Sequence, residues 1–115
     1  MYLLVSILKQ TQPLSDVVAG FAKIGITGST VVNATGMGRV LMQTKLALQL
    51  AGHINKVIAD LESSNKIILT VIKDKDTLDK AIEIVKSICG DLCEPGKGIL
   101  FALALEAVEG FQKAD

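Results

Sequence analysis

The sequence predicts one α+β domain over residues 1–115, in which two β-α-β units share a four-stranded antiparallel sheet and both helices lie on one face. Three observations predict it. Residues 3–24 and 67–88 carry one pattern at a constant offset of 64 positions. Three of the strand-like runs are apolar on both faces. The connections are short, and right-handed crossovers in so small a chain leave few other ways to arrange the two units.

The first strand spans residues 3–9. Leu3-Leu4-Val5-Ser6-Ile7-Leu8-Lys9 is echoed by Ile67-Ile68-Leu69-Thr70-Val71-Ile72-Lys73, with apolar residues, a hydroxyl and a closing lysine in the same order. Pro13 then suits a helix's first turn, where its missing N–H is harmless. Leu14, Val17, Val18, Phe21 and Ile24 follow at helical spacing, and Gly25 supplies the left-handed stop. Residues 29–35, rich in Val and Thr, form a second strand that runs into Gly36-Met37-Gly38.

The second unit repeats the scheme. Residues 66–73 are a strand, and Asp74 and Asp76 offer helix caps. Leu78, Ala81, Ile82, Val85, Ile88 and Cys89 make one helical stripe, which Gly90 ends. Residues 99–106 are the last strand. There Ile99, Phe101, Leu103 and Leu105 alternate with Leu100, Ala102 and Ala104, so a close neighbour is expected on the small side.

Between the units, residues 37–64 form an insert. Leu46, Leu50, Ile54, Val57, Ile58 and Leu61 recur at helical spacing, with Gly52 as a break. This segment reads either as a packing helix or as an arm that docks on a partner. The whole order fits the ferredoxin-like fold. Its helices cover one sheet face only, and an exposed second apolar face exceeds what monomers tolerate. Self-association is the expected cover, with the middle segment as the alternative.

Composition excludes several functions. Twelve basic and twelve acidic residues cancel and aromatics are 3%, so neither a net field nor stacking platforms suit nucleic acid. No apolar stretch reaches the roughly 18 residues of a membrane span. The run over residues 2–8 lacks a basic leader and a cleavage site, so it is not read as a signal peptide. Cys89 and Cys93 form no secreted-type framework, and a cytoplasmic protein is expected. His53 has no carboxylate or cysteine at helical spacing and reads as a packing or surface residue. The two thiols are too few for a metal site, so no metal is expected. With no nucleophile–base pair in view, no catalytic residue is assigned and an enzyme is not expected.

Two glycine-rich turns carry the remaining chemistry. Gly36, Gly38 and Arg39 offer bare backbone N–H groups beside a guanidinium, an arrangement that suits phosphate. Leu41 stands where a dinucleotide fingerprint needs a third glycine, so that motif is absent. Gly96-Lys97-Gly98 is a second turn with a cation. Each is by itself also an ordinary turn.

The segment Gly25-Ile26-Thr27-Gly28-Ser29-Thr30-Val31-Val32, leading to Gly36-Met37-Gly38-Arg39, resembles the PII nitrogen-regulatory signalling family. Gly96-Lys97-Gly98-Ile99-Leu100-Phe101 is similar to that family's second glycine loop and last core strand. The resemblance implies a homotrimer that binds an adenine nucleotide (ATP, ADP or AMP) as effector between subunits, with no prosthetic group. It also implies that residues 37–64 dock on a transporter or enzyme. By position, Thr30 would contact the base, Gly36, Gly38 and Arg39 would border the phosphates, and Gly96, Lys97 and Gly98 would form the opposing loop.

The chain departs from the family pattern at Val40 and Ile99, where the family has glutamine and lysine. Gly110, Phe111, Gln112 and Lys113 stand in the region of its C-terminal arginine pair, and Tyr2 is the only tyrosine. These departures mark a divergent member. Two other readings stay open: a trimeric interaction scaffold without nucleotide, and a CutA-like metal-tolerance trimer of the same fold.

Overall fold

The computed structural model describes residues 1–9, 12–36, 65–92 and 98–111. Six elements follow in order: β1 (Tyr2–Lys9), α1 (Leu14–Lys23), β2 (Ser29–Ala34), β3 (Asn65–Ile72), α2 (Lys75–Cys89) and β4 (Gly98–Ala104). The helical reading within residues 40–64, His53, Cys93, and the site residues Gly38, Arg39, Gly96 and Lys97 lie outside the described residues.

The strands form one antiparallel sheet in the order β2-β3-β1-β4, so the duplicated strands β1 and β3 are its centre. Their register pairs Tyr2 with Ile72, Val5 with Leu69 and Lys9 with Asn65. This is the expected β-α-β-β-α-β architecture, with both helices against one face.

The helix-side core is built from equivalent positions of the two units. Leu4 with Ile68, Leu8 with Ile72, Val17 with Ala81, and Phe21 with Val85 are all essentially inaccessible to solvent. Each large aliphatic or aromatic side chain buried this way contributes about 1.5–3 kcal/mol. Gly20, in the middle of α1, lets the helices approach closely: a Cβ there would lie 2.7 Å from Cγ2 of Ile84. That methyl sits on a β-branched carbon and cannot swing away freely.

The helix ends follow the sequence. Gly25 follows α1 with φ +89° and Gly90 caps α2 with φ +80°, both in the left-handed region. Asp74 is the N-cap of α2, its Oδ1 accepting from the Thr77 backbone N–H at 2.8 Å. That bond, reinforced by the Thr77 side chain, holds the Asp74 carboxyl below its ordinary value. Pro13 sits one position earlier than a first-turn residue, at the N-cap, where its carbonyl accepts from Asp16 and Val17.

Two sequence expectations about β4 change. The strand stops at Ala104, with one further bond from Leu105 N to Met1 O (2.9 Å). The small side of β4 turns toward the helix layer, but Ala102 and Ala104 are exposed and only Leu100 packs on the core. β4 is an edge strand, whereas α2 packs on the central strands β1 and β3.

Candidate functional site

Alternation along the strands puts Leu3, Val5, Ile7, Ile67, Leu69 and Val71 on the sheet face away from the helices. The register adds Ile99, Phe101 and Leu103 from β4 and Thr30 and Val32 from β2. Thr30 is the one hydroxyl among them. Ile99 is 55% exposed, Leu103 52%, Phe101 40% and Val32 40%, so no described residue covers this face. Val5, at its centre, is 7% exposed and yet lies outside the helix-side core. Its register partners on the flanking strands are Leu69 and Phe101. Four strand spacings by about six residues give a footprint of roughly 400 Å², the size of the largest apolar patches on single subunits, which are often functional.

The described site residues fall at two ends of the sheet. Gly36 follows β2 on one edge, and Gly98 opens β4 on the other edge at the same end. Three strand spacings, about 14 Å, separate those edges. Thr30 pairs with Leu69, four residues back along β2 from Ala34, or about 13 Å from that end. One subunit therefore does not bring Thr30, Gly36 and Gly98 to a common point.

Gly98 also has a packing reason to be glycine. Its φ is +124°, and a Cβ would lie 2.2 Å from the carbonyl oxygen of Ile7 and 3.1 Å from Cα of Leu8. Gly36 is less constrained, since a Cβ there would meet the Asn65 amide nitrogen at 3.3 Å. The roots of the 37–64 segment are tied on the helix side, where Lys66 Nζ donates to Asn33 Oδ1. On the other side Asn65 Oδ1 is buried and has no hydrogen-bond partner among the described residues.

Sequence reasoning missed a cleft at the opposite end of the sheet from Gly36 and Gly98. Its volume is about 660 Å³, and it lies between the α1–β2 turn, the end of β3 with the first turn of α2, and residues 108–111. Ile24, Ile26, Val71 and Val108 supply apolar lining, and Lys73 and Glu109 supply opposite charges. Three segments remote in sequence build it, so no local motif signals it. Among the described residues, no group of three or more His, Cys, Asp or Glu is placed to hold a metal. None of the described helices is long and apolar enough to cross a membrane.

Comparison with known proteins completes the picture. No curated protein sequence matches the chain. Among solved structures, the crystal structure of Arabidopsis thaliana PII bound to citrate superposes with a TM-score of 0.56 at 21% identity. The match covers 90% of this chain and 76% of that one, and establishes the shared fold. The sequence model of the nitrogen regulatory protein P-II family matches residues 1–114. Proteins of that family are trimeric regulatory signalling proteins that act on partners. With the duplicated β-α-β order and that match along its length, the chain belongs to the nitrogen regulatory protein P-II family.

Proposed function

We propose that this protein is a cytoplasmic, non-enzymatic regulator that assembles as a homotrimer through the uncovered sheet face. It binds an adenine nucleotide at the seams between subunits and signals to a transporter or enzyme through residues 37–64. One observation carries the reading: the face away from the helices is a continuous apolar surface bearing Thr30, while Gly36 and Gly98 stand at the far end of the same sheet. A single subunit holds these residues apart, and a ligand lodged between copies would meet Thr30, Gly36 and Gly98 from different subunits. In this reading Gly36, Gly38 and Arg39 border the phosphates, and Gly96, Lys97 and Gly98 close the seam from the opposing side.

Calorimetric titration with ATP, ADP and AMP tests the nucleotide part. Saturable binding of at least one of them is expected, and Arg39→Ala should weaken it about tenfold or more, the loss of one charge-assisted contact. No heat with any of the three would remove the nucleotide. A trimeric interaction scaffold would then stand in its place. One observation favours that second reading: Ile99 occupies the position after the second Gly-x-Gly and is 55% exposed on the apolar face, where it extends a contact surface rather than presenting a cation.

A further inference from the structure

Resting on the nucleotide reading above, we propose that Phe111 is the residue that selects the base, its ring stacking on the adenine in the cleft at the α1–β2 corner. The chain holds three phenylalanines, one tyrosine and no tryptophan. Phe21 is sealed in the helix-side core, and Phe101 sits on the open sheet face. Phe111 is the aromatic residue that lines the cleft, and at 37% exposure part of its ring stands in water. Every base offers a π-face to such a ring, a contact that neither a phosphate nor a sugar can reproduce.

The surroundings of Phe111 decide which end of the nucleotide enters. Ile24, Ile26, Val71 and Val108 line the same cleft, and apolar walls suit a flat uncharged ring better than a phosphate. The charged lining residues are Lys73 and Glu109, whose formal charges cancel, so this lining offers a polyanion no net attraction. The first turn of α2 would draw an anion, but the Asp74 carboxylate already accepts from the Thr77 N–H at 2.8 Å.

Space and position agree with the charges. A Cβ built at Gly25, Gly28 or Gly110 would meet nothing within 4 Å, so a planar ring can enter beside Phe111. Thr27 and Gly28 of the lining run directly into β2, whose second residue is Thr30. The cleft therefore opens next to the hydroxyl assigned to the base, while Gly36 follows the far end of that strand. Stacking and phosphate binding fall on different parts of the ligand and on different parts of the chain.

Calorimetry on the full chain separates the two, with AMP, adenosine and ribose 5-phosphate (the sugar and phosphate without the base) as probes. Phe111→Leu keeps an apolar side chain and removes the π-face. It should weaken AMP and adenosine alike, by about tenfold or more, and leave ribose 5-phosphate as it was. Phe111→Tyr should restore AMP binding. Arg39→Ala should show the reverse pattern, weakening AMP and sparing adenosine. Phe111→Trp adds a spectroscopic readout, since the chain has no tryptophan of its own. Its emission should change on saturation with adenosine and not with ribose 5-phosphate. Unchanged AMP affinity in a folded Phe111→Leu protein would overturn the proposal and leave the nucleotide reading in place. Equal losses for adenosine and ribose 5-phosphate would overturn it too, because the ring would then only brace residues 108–111. If the wild-type protein bound none of ATP, ADP and AMP, the nucleotide reading itself would fall, and the stacking role with it.

Discussion

The two faces of the sheet are made of nearly the same residues and live in different surroundings. On the helix side, Leu4, Leu8, Ile68 and Ile72 are sealed by Phe21, Val17, Ala81 and Val85, and two hydroxyls, Ser6 and Thr70, are buried with them. On the other side, Leu3, Ile7, Leu69, Phe101 and Leu103 make an apolar surface with Thr30 as its only hydroxyl, and no described residue lies over it. The helix side could be completed by one chain alone. The other face has the composition of a core and the exposure of a surface. That mismatch is what a subunit interface looks like before its partner arrives.

The sharpest way to break the comparison is to charge the open face. The double variant Phe101→Glu, Leu103→Glu places two carboxylates on an edge strand without touching the helix-side core. It should abolish assembly and leave a folded monomer, as read by sedimentation and circular dichroism together. Loss of the fold, or an unchanged assembly state, would contradict the division between the faces.

Phe21→Ala strikes the other side. Removing a fully buried aromatic should cost about 3–5 kcal/mol in chemical denaturation. Measured in the monomeric double variant, that loss should be independent of protein concentration, unlike the stability of the wild-type assembly.

Gly98→Ala comes next, and is expected to cost at least about 1–3 kcal/mol, from the positive φ alone, before any clash with Ile7 is counted. A neutral result would mean that the β1–β4 edge yields, and with it the geometry of the proposed seam.

The smallest effects separate the two buried hydroxyls. Thr70 Oγ1 lies 2.9 Å from Ser29 Oγ, whereas Ser6 Oγ has no partner among the described residues. They are equivalent positions of the repeat, but Thr70 faces Ser29 on β2 and Ser6 faces Leu100 on β4. Ser6→Ala should therefore stabilise by about 1 kcal/mol and Thr70→Val should cost about 1 kcal/mol, both read from denaturation midpoints.

Much of the fold was legible in the sequence, because both units state their periods openly. The stripe Leu14, Val17, Phe21 and its copy Leu78, Ala81, Val85 could only be helices, and Gly25 and Gly90 marked where they stop. The open apolar face was legible too, since strands apolar on both sides need two covers. Contacts between distant segments were not. Gly98 reads as a turn glycine, and only its approach to Ile7 shows why no other residue fits. Gly20 looks like a weak spot in a helix until Ile84 is seen across from it. The alternation in β4 suggested a neighbour over Ala102 and Ala104, because sequence does not reveal which strand lies at an edge. Of the candidate site, Thr30, Gly36 and Gly98 could be placed, and their separation within one chain became the argument for a site between chains.

Light scattering coupled to size exclusion, on wild-type protein at micromolar concentration, bears on the central claim with the fewest assumptions. The apolar face predicts self-association, and the trimeric state of the P-II family sets the expected species at three times the mass of the 12.2 kDa chain. A homogeneous, well-folded species of 12.2 kDa would show that the face stands open in water, and would contradict the account.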